Sequence, residues 1–169
     1  YALMGSAIHN ILERADSTAI TERRLEVEVD GMSISGQFDR LALVSKDGGI
    51  SGSLQDYKMA SVWEYIYGLK QDRENQLNVY AYMLRKHGYK ISMLQVVMIF
   101  RDWQRSKAEN DRQYPQRQVA VISVDLWDED KQLAYIKERV AVHKANAREC
   151  SGIEKWAKKT QYAVMKGKN

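Results

Sequence analysis

A predicted β-hairpin constrains the fold of this chain more than any other feature. The run Leu25-Glu26-Val27-Glu28-Val29 alternates apolar and charged side chains, which is the period of a strand with one buried face. Asp30-Gly31 follows it directly, and an Asp-Gly pair favours the tight turn between two antiparallel strands. The return strand is predicted from Met32 to about Val44. A chain with this hairpin needs further elements that cover its apolar face.

Turn signals extend the hairpin into a three-stranded meander. Lys46-Asp47-Gly48-Gly49 predicts a second turn, and a third strand is predicted from Ile50 to Lys58. The other predicted elements are a helix from Leu3 to about Asp16, a helix from about Arg73 to His87 with Gly88 as its C-cap, strands over Met93 to Phe100 and Gln116 to Leu126, and a helix from Asp128 to about Glu149. This order (helix, three-stranded meander, helix, strands, helix) predicts an α/β fold of the α+β type, a mixed sheet with helices packed on it.

Composition and length predict one globular domain over residues 1–169. Apolar residues make up 44% of the chain, and the net charge of +4 permits a polyanionic partner without requiring one. Cys150 is the only cysteine, which excludes an intrachain disulfide and favours a reducing cytosol. No apolar run reaches the length of a membrane span, so no membrane partner is expected. Because the chain begins with Tyr1 and ends with Asn169, we expect a trimmed or partly ordered part of a longer protein.

Two acids and a lysine lie on neighbouring strands of the predicted meander. Asp56 and Lys58 are two residues apart, so strand alternation turns both to one face and Tyr57 to the other. Alternation on the preceding strand groups Asp39 with Ser35, Gln37 and Leu41. If the two strands pair, the carboxylates of Asp39 and Asp56 can converge on a shared cation.

This arrangement suits the hydrolysis of a phosphodiester bond. That reaction needs an activated water, neutralised phosphoryl oxygens and help for the leaving oxygen, and divalent cations held by carboxylates supply all three. Lys58 is placed to deprotonate or orient the nucleophile, or to stabilise the developing charge. Gly36 predicts a position where another group approaches the strand backbone closely.

Four short motifs, read in order, resemble a known family. They are Gly5-x-x-x-His9, Gly36-x-x-Asp39, Asp56-Tyr57-Lys58 and Gln76-x-x-x-Tyr80. Together they resemble the RecB-type exonuclease branch of the PD-(D/E)XK nuclease superfamily, whose core is that of the restriction endonucleases. The resemblance covers roughly residues 3 to 85. It implies a nuclease domain over residues 1–169.

The resemblance implies a metal site that the residues alone do not establish. His9, Asp39 and Asp56 would be ligands, and the backbone carbonyl of Tyr57 a further one. The metal would be Mg²⁺ or Mn²⁺, as one or two ions. Several relatives hold an iron–sulfur cluster with four cysteines, and with Cys150 alone this chain is expected to lack it, as cluster-free phage members do.

The resemblance also implies catalytic roles and a substrate. Asp39, Asp56 and Lys58 would carry the reaction, with Gln76 and Tyr80 facing the DNA phosphate or the active site. The expected activity is a metal-dependent deoxyribonuclease, most simply an exonuclease in phage-type DNA recombination or processing. The expected partners are linear duplex or single-stranded DNA, and a second copy of the chain or a recombination protein. A phage-encoded protein of this kind would work in the cytoplasm of its bacterial host.

Other interpretations of the same residues stay open. They include a surface position for His9, an internal ion pair among Asp39, Asp56 and Lys58, and ordinary helix positions for Gln76 and Tyr80. The corresponding functions are a catalytically silent nuclease-fold subunit that binds DNA or aids assembly, and a metal-dependent hydrolase of RNA. Trp103 lies in a long basic connection from Arg101 to Pro115, which fits either a base-stacking loop or a solvated hairpin tip.

Overall fold

The computed structural model of this protein describes residues 18–46 and 49–145, with helical positions Gly5, Ala7, Asn10, Ile11 and Arg14 before them. The strands are β1 (Ile20–Val29), β2 (Met32–Lys46), β3 (Gly49–Ala60), β4 (Ile91–Phe100) and β5 (Val119–Val124). The helices with described bounds are α1 (Val62–Ile66), α2 (Gln71–Lys86), α3 (Arg105–Asn110) and α4 (Glu129–Lys144). Among the described residues, no helix is both long and apolar enough to cross a membrane.

The strands form one mixed sheet in the order β1-β2-β3-β4-β5. The first three are an antiparallel meander, and Val29 pairs with Met32 around a turn in which Asp30 and Gly31 have φ of 50° and 72°. Positive φ at both turn residues is the conformation for which Asp-Gly was predicted. β4 then pairs parallel to β3 after the chain crosses through α1 and α2, and β5 returns antiparallel. The predicted α+β fold, a helix-covered mixed sheet with the restriction-endonuclease-like arrangement, is therefore confirmed.

Two short helices occur where none was predicted. α1 begins directly after β3, and the Ser61 side chain caps it by accepting a hydrogen bond from the Trp63 amide. α3 lies inside the segment that was predicted as a loop from Arg101 to Pro115. Both helices are shorter than two turns, so periodicity could not reveal them. They lie next to each other because the parallel strands β3 and β4 have their C-terminal ends on the same side of the sheet.

The strict alternation predicted for β2 is wrong beyond Phe38. Phe38 is 1% exposed and Leu41 is 0% exposed, although they are three residues apart and should face opposite sides. The change of phase falls on Asp39 and Arg40. On β1, the paired residues skip from Thr21 to Arg23, and Glu22 between them has φ of 47°. The sheet is locally irregular around Asp39 on both strands, and such irregularities re-aim side chains.

The main core lies between the sheet and α2. The sequence predicts an apolar stripe of Leu77, Tyr80, Ala81 and Leu84 on α2, and all of these are fully buried except Tyr80, which is half-buried. The even-numbered residues of β4 from Leu94 to Phe100 are buried against them, whereas Met93 is 45% exposed. The dense apolar run from Met93 to Phe100 predicts a strand that is buried on both faces. In the described structure one face is buried, and the other is intermediate over positions 95, 97 and 99.

A buried amide joins the two long helices. Asn78 of α2 is 0% exposed, and its Nδ2 donates to the carbonyl oxygens of Glu74 and Asp125 at 3.0 and 2.9 Å. Its Oδ1 accepts from the Trp127 amide at 2.9 Å and from Gln132 Nε2 at 3.1 Å. Both donors and both acceptor positions of the amide are therefore used. These bonds fix the start of α4 against α2.

We expect Asn78→Ala to lower the free energy of unfolding by about 3 kcal/mol, because it leaves the buried partners of the amide unsatisfied. Chemical denaturation followed by circular dichroism measures the change. Asn75→Ala is the matched control. Its amide accepts one hydrogen bond from Gln71, and its effect should stay within about 0.5 kcal/mol. Equal effects of the two substitutions would contradict a structural role for the Asn78 network.

Candidate active site

Asp56 and Lys58 form a partly buried ion pair near the end of β3. Lys58 Nζ lies 2.9 Å from Asp56 Oδ1, and the side chains are 21% and 4% exposed, respectively. Both face the same side of the sheet, as strand alternation predicted. The parallel pairing sets Asp56 beside Val96 and Lys58 beside Met98, two fully buried residues of β4. The Asp56 carboxylate thus has apolar neighbours on β4, while the Lys58 side chain is partly exposed.

Asp39 approaches the same point from β2. Its Oδ2 accepts a hydrogen bond from the backbone N–H of Tyr57 at 2.6 Å. The last regular pair between β2 and β3 is Arg40 with Gln55, so a side chain takes over where the backbone ladder stops. The Asp39 carboxylate therefore lies beside the peptide bond that joins Asp56 to Tyr57. The pairing of β2 with β3 thus brings Asp39 next to the Asp56-Tyr57 peptide, and a cation shared by the two carboxylates stays a prediction.

Gln76 and Tyr80 lie one turn apart on α2. Gln76 Nε2 donates to Tyr80 Oη at 3.1 Å, and both side chains are half-buried. The Tyr80 ring packs on β2 at Gly36, where an added Cβ would lie 2.5 Å from a ring carbon. Gly36 is thus the close-approach position that its sequence context predicted. The contact places Tyr80 three residues from Asp39 along β2.

The described residues supply two of the four predicted metal donors as side chains. Asp39 and Asp56 offer hard carboxylate oxygens, which suit Mg²⁺ or Mn²⁺. His9 lies outside the described residues, and the role of the Tyr57 carbonyl stays a prediction. Over residues 18–46 and 49–145, no group of three His, Cys, Asp or Glu side chains is arranged to hold a metal ion. The donors that are present fit a divalent cation, and the predicted third side chain would come from the first helix.

Trp103 has a structural role in the segment after β4. Its Nε1 donates to the carbonyl oxygen of Pro115 at 2.7 Å, and its ring packs on the main core. Tyr114 Oη accepts from the Gln104 amide at 3.0 Å and donates to the Asp102 carbonyl at 3.3 Å. The segment is therefore an ordered unit, and Trp103 is one of its supports. Neither the exposed stacking loop nor the solvated hairpin tip describes it.

Asp102 is a positioning residue that the sequence did not reveal. It accepts hydrogen bonds from the Ser61 hydroxyl at 2.5 Å and from the Val62 amide at 2.8 Å. Desolvation raises the pKa of Asp102, but these hydrogen bonds outweigh it, and the pKa lies below the usual range. The carboxylate thereby ties the start of α1 to the end of β4. Nothing in the local sequence links residues that are 40 positions apart.

Comparison with known proteins adds the family. The sequence profile described as the PD-(D/E)XK nuclease superfamily matches residues 2–166, almost the whole chain. This protein belongs to the PD-(D/E)XK nuclease superfamily. Members are generally metal-dependent nucleases that act on DNA, and the family thus supports nuclease activity. The search of curated proteins gives no match.

A solved structure shares the fold of this superfamily member. It is described as "Crystal structure of SSO0001", with a TM-score of 0.53 and 18% sequence identity. The match covers 83% of the present chain and 60% of that chain, so the present chain spans less than two thirds of its relative. At this identity the likeness supports the fold alone.

We expect Gly36→Ala to lower the free energy of unfolding by about 1–3 kcal/mol, because the new methyl group must displace the Tyr80 ring. Thermal and urea denaturation measure the loss. Adding Tyr80→Leu to Gly36→Ala should recover part of it, since the smaller side chain makes room. If Gly36→Ala alone is as stable as the wild type, the packing of Tyr80 on β2 is wrong.

Proposed function

We propose that this protein is a metal-dependent deoxyribonuclease of the RecB-type branch, acting as an exonuclease in phage-type DNA recombination or processing. In this proposal residues 1–169 form one nuclease domain, without an iron–sulfur cluster, that works in the cytoplasm of a bacterial host. Family membership supports the nuclease part. The four ordered motifs support the branch, and the net charge of +4 suits a polyanionic substrate.

The observation that carries the proposal is the contact of Asp56 with Lys58 beside Asp39. A carboxylate that is 3% exposed loses hydration, and an apolar pair could fill the same space with no such cost. Ionisable groups are retained in such positions most often where chemistry needs them. The second acid arrives from another strand through an irregular part of the sheet. A plain structural ion pair would not require that arrangement.

Asp39 and Asp56, with His9 and the Tyr57 carbonyl, would hold Mg²⁺ or Mn²⁺. When bound, the ion supplies charge neutralisation at the phosphoryl group and activation of water. The Asp39 carboxylate is oriented by the Tyr57 amide, which occupies its Oδ2 at 2.6 Å. Asp56 is oriented by its ion pair with Lys58 and lies beside the fully buried Val96 of β4. The chain thus fixes both acids before any substrate arrives.

Lys58, Gln76 and Tyr80 would act on the substrate side. The Lys58 ammonium group is partly exposed, so it can contact an attacking water or a phosphoryl oxygen while it stays near Asp56. It then moves or holds a proton at Nζ, or stabilises the negative charge of the transition state. Gln76 Nε2 uses one N–H on Tyr80 and has a second for a phosphate oxygen.

We expect Asp56→Ala and Lys58→Ala each to reduce DNA degradation by at least about a hundredfold, because each removes a group that acts in the transition state. The assay uses linear duplex and single-stranded DNA with Mg²⁺ or Mn²⁺. Lys86→Ala is the matched control, because Lys86 forms an exposed ion pair with Glu129 at 2.5 Å, away from β3. It should retain wild-type activity. Circular dichroism confirms that each variant is folded.

Two results would redirect the assignment. Salt-dependent DNA binding without turnover in the wild type, under both metals, would indicate the catalytically silent DNA-binding subunit. Preferential cleavage of RNA in a competition assay would indicate the RNA hydrolase. Full activity in folded Asp56→Ala and Lys58→Ala variants would refute the proposed site itself. Degradation of linear but not closed circular DNA would support the exonuclease mode.

A further inference from the structure

A groove of about 560 Å³ opens beside α1, on the side of the segment that follows β4. One wall is apolar and comes from α1, and the other is polar and comes from α3 and its flanks. The lining residues are Trp63, Ile66, Gln104, Ser106, Lys107, Asn110, Asp111, Gln113 and Tyr114. None of them belongs to the acid and lysine site on β2 and β3.

The α1 wall carries an exposed aromatic ring, Trp63, and a second exposed ring, Tyr67, follows directly after the helix and is not part of the groove lining. Trp63 is 52% exposed and Tyr67 is 81% exposed, and their rings stack with centroids 5.7 Å apart and planes 19° apart. Tyr65, by contrast, packs edge-on against Phe100 at 5.6 Å and anchors the helix to β4. Tyr65 thus packs α1 on the sheet, while the rings of Trp63 and of Tyr67, the C-cap residue, are exposed. Parallel rings leave an outer face on which another flat ring can stack.

The opposite wall offers groups suited to the edge and the phosphate of a nucleotide. The amides of Gln104 and Gln113 can donate and accept hydrogen bonds, which is the chemistry that reads base edges. Asn110 donates through Nδ2 to the Ser106 carbonyl oxygen at 2.7 Å and keeps its own amide oxygen as an acceptor. Lys107 adds a cation at the rim. The segment over residues 101–117 holds five basic and three acidic residues, and one acid, Glu109, is paired with Arg105 at 2.9 Å. The groove lining itself carries one cation, Lys107, and one anion, Asp111, so the attraction for an anionic ligand comes from the net charge of +2 of the whole segment.

Hydrogen bonds hold the walls of the groove in place, and the groove adjoins the end of β3, the strand that carries Asp56 and Lys58. Asp102 holds the N-terminus of α1, and the amide of Arg101 donates to the carbonyl oxygen of Ala60 at 3.1 Å. Ser61 is three residues beyond Lys58, a distance of about 10 Å along a strand. That distance equals about three stacked base steps. The N-terminus of α1, where Ser61 caps the helix, is therefore within reach of a strand bound at Lys58.

We propose that this groove binds an unpaired nucleobase of the DNA strand, stacked on Trp63, with the adjoining phosphate near Lys107. The inference rests on the proposed function for its substrate, since it places a second contact on the same strand. A paired base has its edge and both faces occupied, so only single-stranded DNA or a frayed end can enter. The substrate class that follows is a DNA strand with unpaired bases next to the scissile phosphate.

The test is a binding measurement, independent of cleavage. A fluorescent thymidine oligonucleotide and the same oligomer with abasic sugars carry equal charge and differ only in their bases. Anisotropy titrations with Ca²⁺ in place of Mg²⁺ give the dissociation constants. The wild type should bind the thymidine oligomer at least about fivefold more tightly than the abasic one, the lower range for a base–aromatic stack. Trp63→Leu should abolish this preference, and Trp63→Phe should keep part of it.

Charge and fold are controlled separately. Lys107→Ala should weaken the binding of both oligonucleotides equally and reduce the salt dependence of that binding, because it removes a phosphate contact. Lys86→Ala, at the C-terminal end of α2, removes the same charge and should change neither. Trp63 is half exposed, so its substitution leaves the core intact, which a thermal melt checks.

The outcomes separate the two proposals. If the protein cleaves DNA and the Trp63→Leu variant keeps the base preference of the wild type, the groove proposal is refuted and the nuclease assignment stands. A protein that loses its base preference in Trp63→Leu but never cleaves DNA supports the groove and refutes the nuclease. Trp63→Leu that changes only the oligomeric state in sedimentation, with no effect on oligonucleotide binding, would make the aromatic face a protein interface and overturn the inference.

Discussion

The hydrogen bond from the Tyr57 amide to Asp39 Oδ2 joins Asp39 on β2 to the part of β3 that carries Asp56 and Lys58, and the candidate site depends on this contact. Regular pairing between β2 and β3 runs as far as Arg40 and Gln55, and a continued ladder would have kept Asp39 in register as an ordinary strand residue. Instead the carboxylate itself replaces the missing backbone contact at 2.6 Å. The acid is thereby both a structural link and a chemical group. Asp56 is joined to Tyr57 by the peptide bond whose N–H Asp39 accepts, and Lys58 follows directly, so this bond holds the segment that carries both residues.

The sequence predicted the parts of the fold that local chemistry controls. Asp30-Gly31 supplied the hairpin turn, Gly88 ended α2 with φ of 86°, and Asp128 capped α4 through the Lys131 amide at 2.7 Å. Each is a short-range rule with a steric or hydrogen-bonding cause. The pairing of β2 with β3 followed from the two turns, and it brought Asp39 toward Asp56.

What could not be predicted depends on contacts between distant residues. The strict alternation predicted for β2 assumed a regular sheet, whereas Phe38 and Leu41 are both buried in the main core because the strand is irregular between them. The α1 and α3 helices are too short for a periodic signal, and α1 owes its position to Asp102 at the end of another strand. In the sequence Asn78 is an ordinary polar residue of a helix, whereas in the structure its hydrogen bonds connect α2 with the start of α4. Such roles emerge only once the tertiary fold exists.

The mixed topology of the sheet also predicts that the contacts of the candidate site form in two stages during folding. Asp39 and Tyr57 are 18 residues apart and belong to a meander of consecutive strands, whose loops close at low entropic cost. The contact between β3 and β4, as between Gln55 and Gln95, spans 40 residues and requires the crossover through α1 and α2. We expect the two acids to meet early, in contact with water, and to acquire their apolar neighbours only when β4 docks. Pulse-labelled hydrogen exchange would show this as protection of the Tyr57 amide ahead of β4, and simultaneous protection would disprove it. The ionic centre would then be an early element of the fold, which the hydrophobic core later encloses.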